Sequence, residues 1–495
     1  MLIPQLPKTH SDLIHKPRFE LKDCLGLEQP DRKYYDRLWD TGCELQSVTS
    51  GVEWDTTTGS PTIDTTTKRS GAASLRCNPS AATAFVRHNI GGTVGTNNFY
   101  FRFYLYIVTS TDALDTIFMV RDDFPSANMT IRLNSNRTLE LWNEDDGAQI
   151  GSDSSALNTG TWYRIEARMT VNSSQSVTAM YALIDGVEFA SATGLNITSE
   201  DVPFDVAFGC VTATTADLYF DDIAVNEGTG TAQTSYPGAG SIVHMHPTAA
   251  GDAAATTGLF SAVDEVTPND ATDYIEVDTI KEVDYNFETS ANAGIGASDT
   301  ITLVQIGTRQ HPETAAAAGW RALVMSQSGG TTAYGTAKTH NDTTWRTNGD
   351  ALPRIYSLTS YVDPQAGGAW TPALLDTMQA GVDVTDATPN LFVSTIWALV
   401  EYVPAAGSAS PSVSPSISPS ISPSVSPSAS VSPSVSPSVS PSVSPSVSPS
   451  ISPSVSPSVS PSASISPSIS PSVSPSAPPE IVQDIIQAGI IVFPR

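Results

Sequence analysis

Along residues 99–108 the chain alternates with a period of two. Phe99, Phe101, Phe103, Leu105 and Ile107 fall on one side, and Tyr100, Arg102, Tyr104 and Tyr106 fall on the other. That alternation predicts a β-strand with one face in a core. Shorter runs at residues 129–133, 138–142, 162–171, 177–184 and 218–225 repeat the pattern, with Thr/Ser/Gly/Asn-rich turns between them. Asp185 and Gly186 sit between two such runs as a two-residue hairpin turn. A second series of strands is expected from residues 241–246 through 274–277, 283–287, 300–307, 320–327 and 355–361 to 393–402. One stretch, residues 371–380, reads as a helix: Thr371 caps it, Pro372 opens it, and Leu374, Leu375 and Met378 share a face. The pattern predicts an all-β chain of two tandem antiparallel β-sandwich (jelly-roll) domains, residues 41–230 and 231–404, after an N-terminal arm at residues 1–40.

The periodicity then changes character. From Ser408 to Ser476 every even-numbered residue is serine, and every odd one from Ala409 to Ala477 is Pro, Val, Ile or Ala. With no charge or aromatic ring, residues 405–479 form neither a core nor an active site, so the tract acts through its length. It spans on the order of 200 Å at about 3.1 Å per residue. Its proline content favours a solvated, semi-rigid spacer; its parity, which puts all serines on one face, also suits an oligomeric shaft. Residues 480–495 turn abruptly apolar. Ile481, Val482, Ile485 and Ile486 share a helical face, Gly489 ends that helix, and Ile490, Ile491 and Phe493 follow. A short apolar module at the tip of a spacer is expected to associate with its own copies or dock into a partner.

Charge narrows the partners. The chain carries 24 Lys+Arg against 51 Asp+Glu, a net charge of −27, almost all of it before the tract. Such a surface repels phosphate backbones and anionic lipid, so neither nucleic acid nor membrane is an expected partner. No run approaches the ~20 apolar residues of a membrane helix, and no signal peptide opens the chain, so release with an assembled particle is the expected route outside. Cys24, Cys43, Cys77 and Cys210 show no ligand spacing and read as buried free thiols.

Residues 218–226 (LYFDDIAVN) close a strand-rich region that began at residues 44–47 (ELQS), with an early strand at residues 70–76 (SGAASLR). This segment resembles laminin-G-like, concanavalin A-like jelly rolls. The following region, through residues 236–238 (YPG), 263–265 (VDE), 273–275 (DYI), 370–372 (WTP) and 397–402 (WALVEY), resembles a second β module that accompanies such jelly rolls in structural proteins of tailed bacteriophages. The resemblance spans residues 41–404. It implies a virion structural protein, a fibre or surface decoration assembled in the host cytoplasm with other virion proteins and as a homo-oligomer. It also implies a lectin-like domain on the virion surface for host or environmental glycans.

The residues themselves point to binding before catalysis. Tyr100, Arg102, Tyr104 and Tyr106 would form a glycan platform, with Trp142 as a further contact, because rings stack on sugar faces while hydroxyls and guanidinium give directed hydrogen bonds. Loop residues Asp122, Asp123 and Asn143 to Asp146 are further candidate sugar or calcium contacts. The stretch from Glu140 to Asp146 places Trp142 where a retaining glycosidase strand needs an acid, and reads as a hairpin loop. Asp221 and Asp222, adjacent on a strand, point to opposite faces and cannot flank one bond; they could bind a structural calcium ion. His244 and His246 share a face at metal-ligand spacing, with Asp252 the nearest third group in sequence. No catalytic motif stands in context, so no enzyme activity and no cofactor are expected. The alternatives are a polysaccharide-degrading spike enzyme and a purely architectural protein.

Overall fold

The computed structural model describes residues 37–91, 97–121, 127–197, 203–255, 257–278, 281–349, 354–386 and 388–405. The Ser-Pro tract and the apolar peptide with Ile481, Val482, Ile485, Ile486, Ile490, Ile491 and Phe493 lie outside the described residues, as do Cys24, Asp122 and Asp123.

The described chain is all-β, built from four antiparallel sheets. The strand Asn97–Thr109 lies near the middle of an eight-stranded sheet, between Trp162–Val171 and Asp217–Glu227. Its inward row of Phe99, Phe101, Phe103, Leu105 and Ile107 is fully buried, as the alternation requires. Phe103 packs on Phe118 and Phe208 of the facing seven-stranded sheet at 5.3 and 5.6 Å between ring centroids, which ties the two layers of the first sandwich together. The hairpin at Asp185 and Gly186 forms as expected, both residues having positive φ, of 52° and 84°.

The second sandwich pairs two six-stranded sheets. Its longest strands, Thr300–Pro312 and Leu391–Val403, lie side by side in one of them. Val304, Ile396, Ala398 and Val400 face its own core, where Trp320 and Val382 meet them. The opposite face of this sheet is also buried. Leu303, Trp397 and Leu399 join Ile242 and, from the first sandwich, Leu45, Val52 and Ala224 in a separate apolar cluster. A strand buried on both sides reads as a continuous apolar run, and residues 397–402 do so apart from Glu401.

The expected helix at residues 371–380 is corrected. Thr371 does cap a turn, accepting the Leu374 N–H, but the helix is only Pro372–Leu375. Gln379–Val384 is a central strand whose six residues are all buried. The end of the expected arm is corrected too: Arg37–Thr41 pairs with Asp217–Glu227 inside the first sandwich and all five of its residues are buried, while residues 1–36 lie outside the described residues. Among the described residues no helix is long and apolar enough to cross a membrane. Cys43, Cys77 and Cys210 are buried free thiols.

Arg37 belongs to a charged knot between the sandwiches. Its Nη2 lies 2.7 Å from Glu401 Oε2 and its Nη1 2.8 Å from Asp40 Oδ2, while Nε donates to Asn226. Arg102 Nη1 lies 2.7 Å from the other Glu401 oxygen. Burial alone would raise the Glu401 carboxyl, but Arg37 and Arg102 outweigh it and hold it below the ordinary carboxylate range. Gly240 passes so close that a Cβ there would sit 2.4 Å from Arg102 Nη1, so any side chain at this position would displace the buried Arg102–Glu401 pair.

Candidate functional site

The expected platform of four side chains does not exist as a surface. Tyr100, Arg102 and Tyr104 are all buried, and the covering elements explain why. Residues 228–240 run across this face. Tyr236 packs edge-on against Tyr100 at 5.1 Å, Gly238 O accepts from Arg102, and Gly238 N donates to Glu166. Arg69 lies over the Tyr104 ring at 3.5 Å, and Arg102 is drawn to Glu401. Three of the four candidates therefore serve the junction between sandwiches.

Tyr106, at the far end of the same row, stays half-exposed. Strand register places Trp162 directly beside it and Tyr219 on its other side, with Arg76 beyond. The Tyr106 ring lies 5.2 Å from Trp162 and 5.9 Å from Tyr219, and the Arg76 guanidinium sits over Tyr219. Trp162 is half-buried, and Arg164 two residues along its strand pairs with Glu166 at 2.9 Å, so the open part of the face is the two rings. Sequence reasoning missed Trp162 and Tyr219 because their partnership with Tyr106 is set by cross-strand register.

Trp142 cannot join this group. It lies on the outer face of the seven-stranded sheet, on the other side of the sandwich, with Arg132 at 3.9 Å over its ring. Its Nε1 donates to Glu140, and Arg132 also pairs with Glu144 at 2.7 Å. Asn143 is spent within its own turn, bonding Asp146 and the Asp145 N–H.

Asp221 and Asp222 do not point apart. The pairing slips between Asp221 and Ala224, and Asp222 has φ of 48°, so a bulge brings both carboxylates to residues 69 and 70. Asp221 accepts from the backbone N–H groups of Arg69 and Asp222; Asp222 accepts from Ser70 Oγ, the Ile242 N–H and the Arg69 guanidinium. The expected calcium role is corrected on this chemistry: the oxygens that would hold a cation are taken by hydrogen-bond donors. Burial and the neighbouring Asp222 push the Asp221 carboxyl well up.

His244 and His246 do share a face, with ring centroids 6.3 Å apart, and His244 stacks on Trp397. Burial depresses both, His246 to about 4, so both imidazoles are neutral near pH 7. They line a cleft of about 560 Å³ between the sandwiches with Lys68, Arg69, Glu288 and Tyr402. Asp252 is engaged elsewhere, by Ser328 and the Gly329 N–H. Among the described residues no group of three or more His, Cys, Asp or Glu side chains is arranged to hold a metal ion. Glu288 Oε1 accepts from the His246 N–H at 3.2 Å, and burial raises its carboxyl despite that bond.

No protein-family model and no curated protein matches the chain. Similar solved structures include a cellulose-induced protein, 18% identical, covering 37% of this chain and 90% of its own with a TM-score of 0.29. An endo-β-1,4-glucuronan lyase from the fungus Trichoderma reesei is 15% identical over 35% of this chain and 90% of its own, with a TM-score of 0.28. An alginate lyase is 9% identical over 31% of this chain and 75% of its own, with a TM-score of 0.24. These are likenesses of a β-sandwich fold. The expectation that the chain is not an enzyme is corrected by this comparison: two of the three similar structures are enzymes by name.

Proposed function

We propose that the protein binds polysaccharide on the open end of the first sandwich's eight-stranded sheet. The observation that carries this reading is the half-buried pair Tyr106 and Trp162, 5.2 Å apart on neighbouring strands and backed by Tyr219. Two rings on a rigid sheet offer an apolar surface to the C–H face of a pyranose, and the tyrosine hydroxyl supplies a hydrogen bond at its edge. The net charge of −27 favours neutral over acidic glycans. Replacing Trp162 by alanine is expected to cost about 1.4 kcal/mol, a tenfold rise in Kd for a neutral polysaccharide measured by calorimetry. An unchanged Kd in a folded variant would sink the proposal.

A second reading, cleavage of a bound glycan, is favoured by one observation in the cleft. Glu288, its carboxyl raised by burial, and the neutral His246 line the same cleft, the residue types that supply a general acid and a general base. If the cleft cleaves glycans, release of new chain ends from a neutral polysaccharide falls at least about 100-fold in both Glu288→Gln and His246→Ala. Release that persists in both variants excludes these roles.

The setting we propose is the surface of a tailed-bacteriophage particle, where copies of the chain present their sandwiches to host or environmental glycans. Support comes from the sequence resemblance over residues 41–404 and from an acidic surface suited to crowding many copies together. Antibody labelling of intact particles in the electron microscope tests it, and particles that take no label would refute it.

A further inference from the structure

We infer that the second sandwich carries its own glycan-stacking site, built from Tyr274, His311, Trp345 and Phe392. The ligand class rests on the polysaccharide-binding reading above; the site itself rests on separate residues. Phe392 and His311 are register partners on Leu391–Val403 and Thr300–Pro312, and both point away from the core that takes Leu391 and Val393. Tyr274 and Trp345 close over them, so that each ring touches two others. Centroid separations are 5.2 Å for Tyr274 and Phe392, 5.9 Å for Tyr274 and Trp345, 4.3 Å for His311 and Trp345, and 5.2 Å for His311 and Phe392. Tyr274 is 41% exposed and the other three are half-buried, which is unusual for four touching rings.

The polar atoms in this patch suit a sugar. His311 Nδ1 lies 2.6 Å from the Pro312 carbonyl, which can only accept, so Nδ1 carries a proton and, in the neutral ring, Nε2 is an acceptor. Trp345 adds an indole N–H and Tyr274 a hydroxyl, giving donors and acceptors around apolar ring faces. Glu276, the register partner of Phe392 on its other side, is steadied by Asn390. Phe392 lies nine positions along its strand from Glu401, about 30 Å at ~3.3 Å per residue, which sets this patch well away from the buried knot. Two stacking sites on one molecule would let a long glycan engage both, with avidity well above either site alone.

The test uses the full chain with neutral hexasaccharides of β-glucan, α-glucan and mannan, and calorimetry to read stoichiometry. Two sites are expected on the unaltered protein and one on each of Trp345→Ala and Trp162→Ala. With the corresponding long polysaccharide, Trp345→Ala is expected to raise Kd at least tenfold, and Tyr274→Ala, a surface change that leaves the thermal midpoint in place, acts in the same direction. If Trp162→Ala abolishes all binding and Trp345→Ala changes nothing, this inference fails and the first site stands. The converse result overturns the first site and leaves this one. If Trp345→Ala alters the oligomeric state but not sugar stoichiometry, the patch joins copies of the chain and the inference is wrong.

Discussion

Replacing Glu401 by alanine is expected to destabilise the protein by about 3–5 kcal/mol. The carboxylate is buried and answers two guanidinium groups that are themselves fully enclosed, Arg37 and Arg102. Thr302 Oγ1 adds a hydrogen bond at 2.9 Å. Truncation leaves Arg37 to Asp40 and takes from Arg102 the carboxylate it pairs with, so buried positive charge loses the group that answers it. Against a total stability of about 5–15 kcal/mol this is a large share. Denaturant titration should show it as a fall in midpoint. The partly exposed pair of Arg76 and Asp217 supplies the contrast: 2.8 Å apart in a bidentate fork, it should cost under about 1 kcal/mol when Arg76 is truncated. If Glu401→Ala costs no more than that surface control, the charged knot does not hold the sandwiches together.

That knot also marks where the sequence stops being legible. Alternation at residues 99–108 identified the inner row from Phe99 to Ile107 because a strand with one buried face leaves a period-two trace. It could not say what lies over Tyr100, Arg102 and Tyr104, since the cover comes from residues 228–240 and from Glu401, far away in the chain. A signal was present in hindsight. Arg102 and Glu401 are opposite charges, each set in a run of otherwise aromatic or apolar residues, 99–108 and 396–403, which is where a buried pair across an interface would leave its mark. The bulge at Asp222 was invisible for a different reason: perfect alternation is the default for a strand, and a single residue at positive φ undoes it without changing composition. Residues 371–380 misled because Leu375 and Met378 suit a helical face, yet Met378, Ala380, Val382 and Val384 also fit period two, and the second pattern won once a sheet was there to receive it. Tyr106 was found and Trp162 was not, although the two rings touch, because contact across strands depends on register that one sequence does not display.

The second large effect is expected at Trp397. Its indole fills the apolar cluster between the sandwiches, stacking on His244 and donating from Nε1 to Tyr356. The facing residue is Gly307, where a Cβ would fall 2.1 Å from the ring, so the neighbouring strand leaves the space that this side chain occupies. Leu45 and Val52 of the first sandwich close the cluster. Truncation to alanine should cost about 3–5 kcal/mol, since a rigid sheet with a glycine opposite has little means of collapsing into the cavity. The loss falls on the junction, while Phe103 with its partners and Trp320 with Val382 keep the two separate cores intact. Cooperative unfolding of the unaltered described region should therefore separate into two transitions in Trp397→Ala when guanidinium unfolding is followed by far-UV circular dichroism. One unsplit transition at the original midpoint would mean that the two sandwiches do not depend on this ring. A split with the Glu401→Ala variant behaving alike would show that the apolar cluster and the charged knot act as one joint.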